Sequence, residues 1–141
     1  MKSDFKYWIT IPTRFRDLDT MNHVNSAMYL TYFEMARMDY FHSVGLLKLK
    51  EPGRRGPAVV TQTCNYKQQL FHPSIIEAGI RCSRIGTTSF TVEYEFYLKD
   101  SETLICDGTT TMTWVDYTIP KAIPVPDVLR EAINELEGRE V

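Results

Sequence analysis

The sequence has no long hydrophobic run, no basic cluster and no paired cysteine pattern, and each absence removes a class of function. The longest apolar, helix-like stretch, Ala27 to Val44, carries Glu34, Arg37 and Asp39, too many charges for a membrane span of that length. The start, MKSDFKYWIT, has neither the apolar core nor the small-residue cleavage site of a secretory signal, so a cytoplasmic location is expected. No run of Lys or Arg exceeds the pair Arg54–Arg55 and the formal charge is -2, which offers a phosphate backbone little to hold. Nucleic acid is not an expected partner. Cys64, Cys82 and Cys106 are odd in number and lack C-x-x-C spacing; they read as small buried hydrophobes in a reducing compartment. His42 and His72 have no third ligand at sensible spacing, so no metal is expected. Neither a Gly-rich phosphate loop nor a G-x-S-x-G elbow is present, which argues against a nucleotide cofactor and a serine nucleophile.

What is present is ordinary globular material. Residues 1–141 read as one domain, 43% hydrophobic and 24% charged, long enough to bury a core without disulfides. Phe5, Tyr7, Ile9, Ile11 and Phe15 alternate with Lys6, Thr10, Arg14 and Arg16, the period of a half-buried strand, and Pro12 removes a ladder donor, so the strand is expected to be frayed or to lie partly at an edge. Tyr29, Tyr32, Phe33, Ala36 and Tyr40 form one stripe of a helix over about residues 26–44, stopped by Gly45. Met28, Leu30, Met35, Met38 and Phe41 widen its apolar surface so far that it should be enclosed by protein. After the loop Glu51–Pro57 the chain turns strand-like. Ala58–Tyr66, the set Ile76, Ala78, Ile80 and Cys82, the alternating Phe90–Leu98 and Thr103–Val115 are joined largely by short turns. Val125–Glu137 reads as an amphipathic C-terminal helix. The order predicts an α+β fold, a five-stranded antiparallel sheet curved around one long helix. Such a sheet leaves edges and a face uncovered, so self-association is expected.

The chemistry concentrates in Arg16-Asp17-Leu18-Asp19-Thr20-Met21-Asn22-His23-Val24-Asn25-Ser26, just before that helix. A helix start offers free N–H groups and a partial positive end, which can hold a carboxylate and polarise a substrate carbonyl together. Asp, Asn and Ser are also ordinary helix caps. Asn25 or Ser26 alone would serve as one, leaving Asp17, Asp19 and His23 in surplus.

RFRDLDTMNHVNSAMYLTYFEMAR resembles the D-x-D-x-x-G-H-V-N-N-x-x-Y-x-x-x-F-E-x-A-R signature of hotdog thioesterases of the 4-hydroxybenzoyl-CoA thioesterase type. Asp17, Asp19, His23, Val24, Asn25, Tyr29, Phe33, Glu34, Ala36 and Arg37 fall on matching positions. Ile85-Gly86-Thr87-Thr88-Ser89-Phe90 is similar to the family's I-G-x-x-S-F turn, and Trp114-Val115-Asp116 with Ile123-Pro124 to its ending. The resemblance spans nearly the whole chain. It implies the hotdog fold and hydrolysis of an acyl-CoA or acyl-carrier-protein thioester without a cofactor. Asp19 takes the place of the catalytic carboxylate, as nucleophile or as general base. The backbone N–H of Ser26 takes that of the donor to the thioester carbonyl. Asp17, His23 and Asn25 become loop-organising residues, and Glu34 an ion-pair partner of Arg37. Two positions depart: Asn22 stands where the family usually has Gly, which Asn's tolerance of left-handed backbone accommodates, and Ser26 replaces a commoner Asn. The basic residues that some relatives place at the Gly86 turn to grip coenzyme A are missing, with only Arg81 and Arg84 near in sequence.

Two rivals share the fold. A hydratase or dehydratase would carry a D-x-N-P-x-H segment, whereas Asp19 and His23 are one residue closer and Asn-Pro is absent. A non-catalytic acyl-CoA-binding module has no need of Asp19. The assembly expected is a homodimer or homotetramer.

Overall fold

The computed structural model describes residues 1–141. Its strands are β1 (Tyr7–Pro12), β2 (Arg55–Tyr66), β3 (Ile75–Ile85), β4 (Ser89–Leu98), β5 (Leu104–Asp116) and β6 (Lys121–Ala122). Its α-helices are α1 (Met28–Ser43), α2 (Leu46–Leu49) and α3 (Asp127–Glu137). All pairings are antiparallel in the order β1-β3-β4-β5-β2. The two-residue β6 pairs with Val115 and Asp116 of β5, beyond the end of β4. The sheet therefore has six strands rather than the five expected; a strand of two residues is too short to leave a periodic signal.

The α1 stripe lands as the sequence predicts. Tyr29, Tyr32, Phe33, Ala36, Tyr40 and Phe41 are all buried against the sheet. Phe33 stacks on Tyr94 with centroids 4.1 Å apart and meets the edge of Phe96 at 5.1 Å, fixing the helix across β4. Gly45, at φ 81°, ends the helix in left-handed backbone that non-Gly residues adopt at a penalty. The C-terminal helix is tied to the same core: Tyr40 donates to Glu137 Oε2 at 2.6 Å and the Cys82 N–H donates to that oxygen at 2.9 Å.

Two expectations change. Phe15 continues the period-2 pattern of β1 in sequence, yet it is 79% exposed. Pairing ends at Pro12, opposite Ile75, and the chain then bends into a single 3-10 turn over Phe15–Asp17. Helix α1 is enclosed on its sheet side alone. Leu30, Met35 and Met38 face outward and are exposed in the single chain. Beside them β2 forms the outer edge of the sheet, with Val60 63% exposed at a register shift between Val59 and Thr61. A long apolar edge strand next to an apolar helix face is unfinished surface.

Candidate active site

The loop from Thr13 to Asn25 is held from both sides. The Thr13 N–H donates to the Ser74 carbonyl at 2.9 Å, and Thr13 Oγ1 lies 2.8 Å from His72 Nδ1, which places His72 in a structural role. Asp17 is fully enclosed and anchors the turn. One carboxylate oxygen accepts the Arg14 N–H at 3.0 Å and the Tyr32 hydroxyl at 2.6 Å, and the other accepts Arg14 Nη2 at 2.9 Å. Its carbonyl accepts the Asn25 N–H at 2.8 Å, closing the loop onto the helix start. Burial alone raises a carboxyl pKa, but the Arg14 and Tyr32 hydrogen bonds outweigh it and hold Asp17 below the usual carboxylate range. Burial pushes the Tyr32 phenol up, and the Asp17 bond adds to the effect.

Asp17→Asn removes these charge-assisted bonds and should destabilise the fold by about 2–3 kcal/mol, lowering Tm by roughly 6–12 °C at neutral pH. Because the folded pKa is depressed, the wild-type advantage is present above the unfolded value near ~4 and fades as pH falls below it. Melting curves of both proteins across that range should therefore converge on the acid side. A constant gap would contradict the assignment.

Asp19 is held differently. Its N–H donates to the His23 carbonyl at 2.8 Å, while one carboxylate oxygen, Oδ1, accepts the N–H groups of Met21 at 2.8 Å and His23 at 3.3 Å. The other oxygen, Oδ2, has no protein donor and stays available. Asn22 closes this tight turn with φ 62°, the left-handed conformation that Asn tolerates better than other side chains. His23 contributes to the loop through its backbone, and its ring meets Phe71 edge-on at 5.1 Å. The Val24 N–H then donates to the Leu70 carbonyl at 2.7 Å, pinning the loop to the segment that follows β2.

Asn25 Oδ1 accepts the Ala27 N–H at 3.0 Å and its carbonyl accepts the Met28 N–H at 2.9 Å, so Asn25 forms the turn that leads into α1, whose N-cap is Ala27. Ser26 lies two residues before α1 rather than in its first turn. Its carbonyl accepts the Tyr66 hydroxyl at 2.8 Å, whereas its N–H is given to no protein acceptor, at the positive end of a 16-residue helix.

These groups meet in one cavity of 340 Å³ lined by Asp19, His23, Val24, Ser26, Tyr29 and the run Tyr66–Leu70. Neither Asp17, which is buried, nor Asn25, which is exposed, is part of the lining. Sequence reasoning misses the Tyr66–Leu70 wall. Lys67 is the cation in this lining. Arg81 is engaged with Glu93 at 2.7 Å. The Gly86 turn lies at the far end of β3 from the Thr13–Ser74 contact, roughly 33 Å away at about 3.3 Å per residue. Within one chain that turn does not reach Asp19. Chemically, the lining includes Asp19, whose carboxylate keeps one oxygen free, and Ser26, whose amide has no protein acceptor. No helix is long and apolar enough to cross a membrane.

Comparison with known proteins places the fold and the family. A family model described as the thioesterase-like superfamily matches residues 13–133. A thioesterase from Thermus thermophilus, solved in complex with coenzyme A and Zn, is 28% identical with a TM-score of 0.85, covering 98% of each chain. A DHNA-CoA thioesterase from Staphylococcus aureus has a TM-score of 0.82 at 22% identity, over 93% of this chain and 90% of that one, and shows the same fold. The long-chain acyl-CoA thioesterase FadM of Escherichia coli is 22% identical over 126 residues, 89% of this chain and 96% of the relative.

Proposed function

The chain belongs to the thioesterase-like superfamily, and from that premise we propose that it hydrolyses an acyl-CoA or acyl-carrier-protein thioester to free acid and thiol. The observation that carries this reading is that Asp19, with Oδ2 free, and Ser26, with its amide unpaired, line one cavity. The thioester carbonyl oxygen accepts the Ser26 N–H, supported by the helix end, so that charge developing on it is stabilised. Asp19 then acts by one of two balanced routes. As general base it takes a proton from water, hydroxide adds to the carbonyl carbon, the C–S bond breaks, and the proton passes to the leaving thiolate. As nucleophile its oxygen displaces the thiolate to give an acyl anhydride, which water opens. Asp17, His23 and Asn25 hold the loop in place. The Asp17–Arg37 segment favours the 4-hydroxybenzoyl-CoA thioesterase type within the superfamily, and the Thermus relative bound to coenzyme A supports that carrier.

Because the Ser26 backbone and not its hydroxyl is used, Ser26→Ala should retain near-wild-type turnover. Ser26→Pro deletes the N–H where proline is tolerated, next to a helix start, and should lower turnover by roughly 10²–10³-fold. Equal rates for the two variants, measured by thiol release, would remove the amide from the mechanism.

A panel of acyl-CoA and acyl-pantetheine substrates with a thiol-reactive dye tests the activity itself. Free thiol identifies a thioesterase. A change in enoyl absorbance without thiol identifies the hydratase alternative, and tight binding with neither identifies an acyl-CoA-binding module. The exposed β2 edge and the outer face of α1 are the surfaces a second copy would cover, giving the homodimer or the building block of a homotetramer. Light scattering at monomer mass would contradict that assembly.

A further inference from the structure

Of the 8 tyrosines, all but one give their hydroxyl to a protein acceptor. Tyr32 and Tyr40 donate to buried carboxylates, and Tyr66 donates to the Ser26 carbonyl. Tyr29 is the exception. It is only 3% exposed, yet no protein group hydrogen-bonds its hydroxyl. That hydroxyl is not sealed in either, since the single fully enclosed side-chain polar atom without a partner is Arg55 Nε.

A buried tyrosine hydroxyl ordinarily finds a partner, and leaving one unpaired is unfavourable. The ring is not free to swing toward one. It packs against Tyr66 with centroids 4.9 Å apart and lies nearly parallel to Tyr32 at 6.4 Å. Burial, then the neighbouring Cys106 and Cys64 thiols, pushes the Tyr29 phenol up to about 12, so at neutral pH it keeps its proton and can donate.

Tyr29 lines the Asp19 cavity. Val24, Tyr29 and Leu70 are the buried members of that lining, whereas Lys67, Gln68 and Gln69 are exposed. The enclosed part is therefore two aliphatic side chains and one phenol. A carrier reaches the cavity from the solvent side, and the thioester carbonyl is assigned to the Ser26 amide. The part of a substrate left to meet the enclosed wall is its acyl group. A plain hydrocarbon there would keep the hydroxyl unpaired; an oxygen on the chain would satisfy it.

We propose that Tyr29 is a specificity-determining residue whose hydroxyl hydrogen-bonds a hydroxyl or keto oxygen on the acyl chain, so that oxygenated acyl groups are preferred. The proposal rests on the reading of this cavity as an acyl-thioester site. Sites that hydrogen-bond a substrate oxygen reject the analogue lacking it more strongly than apolar pockets discriminate by size.

The test compares hexanoyl-CoA with its monohydroxylated isomers, by thiol release with the wild type and by calorimetric binding to Asp19→Asn. At least one isomer should surpass hexanoyl-CoA by roughly tenfold or more, the scale of one hydrogen bond. Tyr29→Phe keeps the ring and removes a hydroxyl that holds nothing in the protein, so it should fold normally. It should abolish the preference by weakening the favoured isomer roughly tenfold, with hexanoyl-CoA unaffected, in both backgrounds. No preference in the wild type overturns the proposal without need of the variant. A preference that survives Tyr29→Phe, or an equal loss for both substrates, overturns it as well. Binding that keeps the Tyr29-dependent preference while the wild type releases no thiol would overturn the hydrolytic reading alone.

Discussion

Asp19→Asn should reduce thioester hydrolysis by at least ~10²-fold while leaving the fold and its melting temperature nearly unchanged. The reason is local. Asp19 Oδ1 accepts the N–H groups of Met21 and His23, and the amide oxygen of Asn accepts the same bonds, so the turn around Asn22 persists. What the variant lacks is the second carboxylate oxygen. An amide neither takes a proton from water near neutral pH nor attacks a thioester carbon, so both routes open to Asp19 close together. The loop supports this separation of roles, because its stability rests on Asp17 and the bonds to Arg14 and Tyr32. Measured together, thiol release and thermal unfolding should show a large change in the first and little in the second.

The second large effect is structural. Gly108→Ala should destabilise the protein by about 3 kcal/mol or more, lowering Tm by roughly 10 °C or abolishing soluble expression. Gly108 lies on β5 opposite Cys64 of β2 and Tyr94 of β4. A Cβ there would stand 2.2 Å from the Thr63 carbonyl oxygen and 2.7 Å from the Phe33 ring. The carbonyl is backbone of the paired strand, and Phe33 is fixed by its stack on Tyr94, so neither can move aside cheaply. Accommodation requires β2 to shift, and β2 leads into the Tyr66–Leu70 wall of the Asp19 cavity. Thermal unfolding within about 2 °C of wild type would contradict this view of the β2–β5 seam.

The parts of the molecule legible in the sequence are those written by local periodicity. The stripe from Tyr29 to Tyr40 and the alternation from Phe90 to Leu98 each mark an element whose buried face is the one anticipated. Asp17, Asp19, His23, Asn25 and Ser26 are legible as a group because they share one short segment at a helix start. The rest depends on contacts distant in sequence. Phe15 fits the β1 pattern, but Pro12 ends the pairing and no local signal marks where Phe15 then points. The wall from Tyr66 to Leu70 reaches the Asp19 cavity through the Tyr66–Ser26 and Val24–Leu70 hydrogen bonds, whose partners are 40 residues apart or more. Likewise Leu30, Met35 and Met38 read as core by hydrophobicity and stand exposed, because one chain supplies a single sheet face for the helix.

The central claim is that the Asp19 carboxylate drives thioester cleavage at the start of α1. The most direct measurement is thiol release from one acyl-CoA substrate by wild type and by Asp19→Asn, in parallel and under identical conditions. The account predicts turnover by the wild type and a rate at least ~10²-fold lower for a variant that remains folded. A folded variant that releases thiol as fast as the wild type would contradict it.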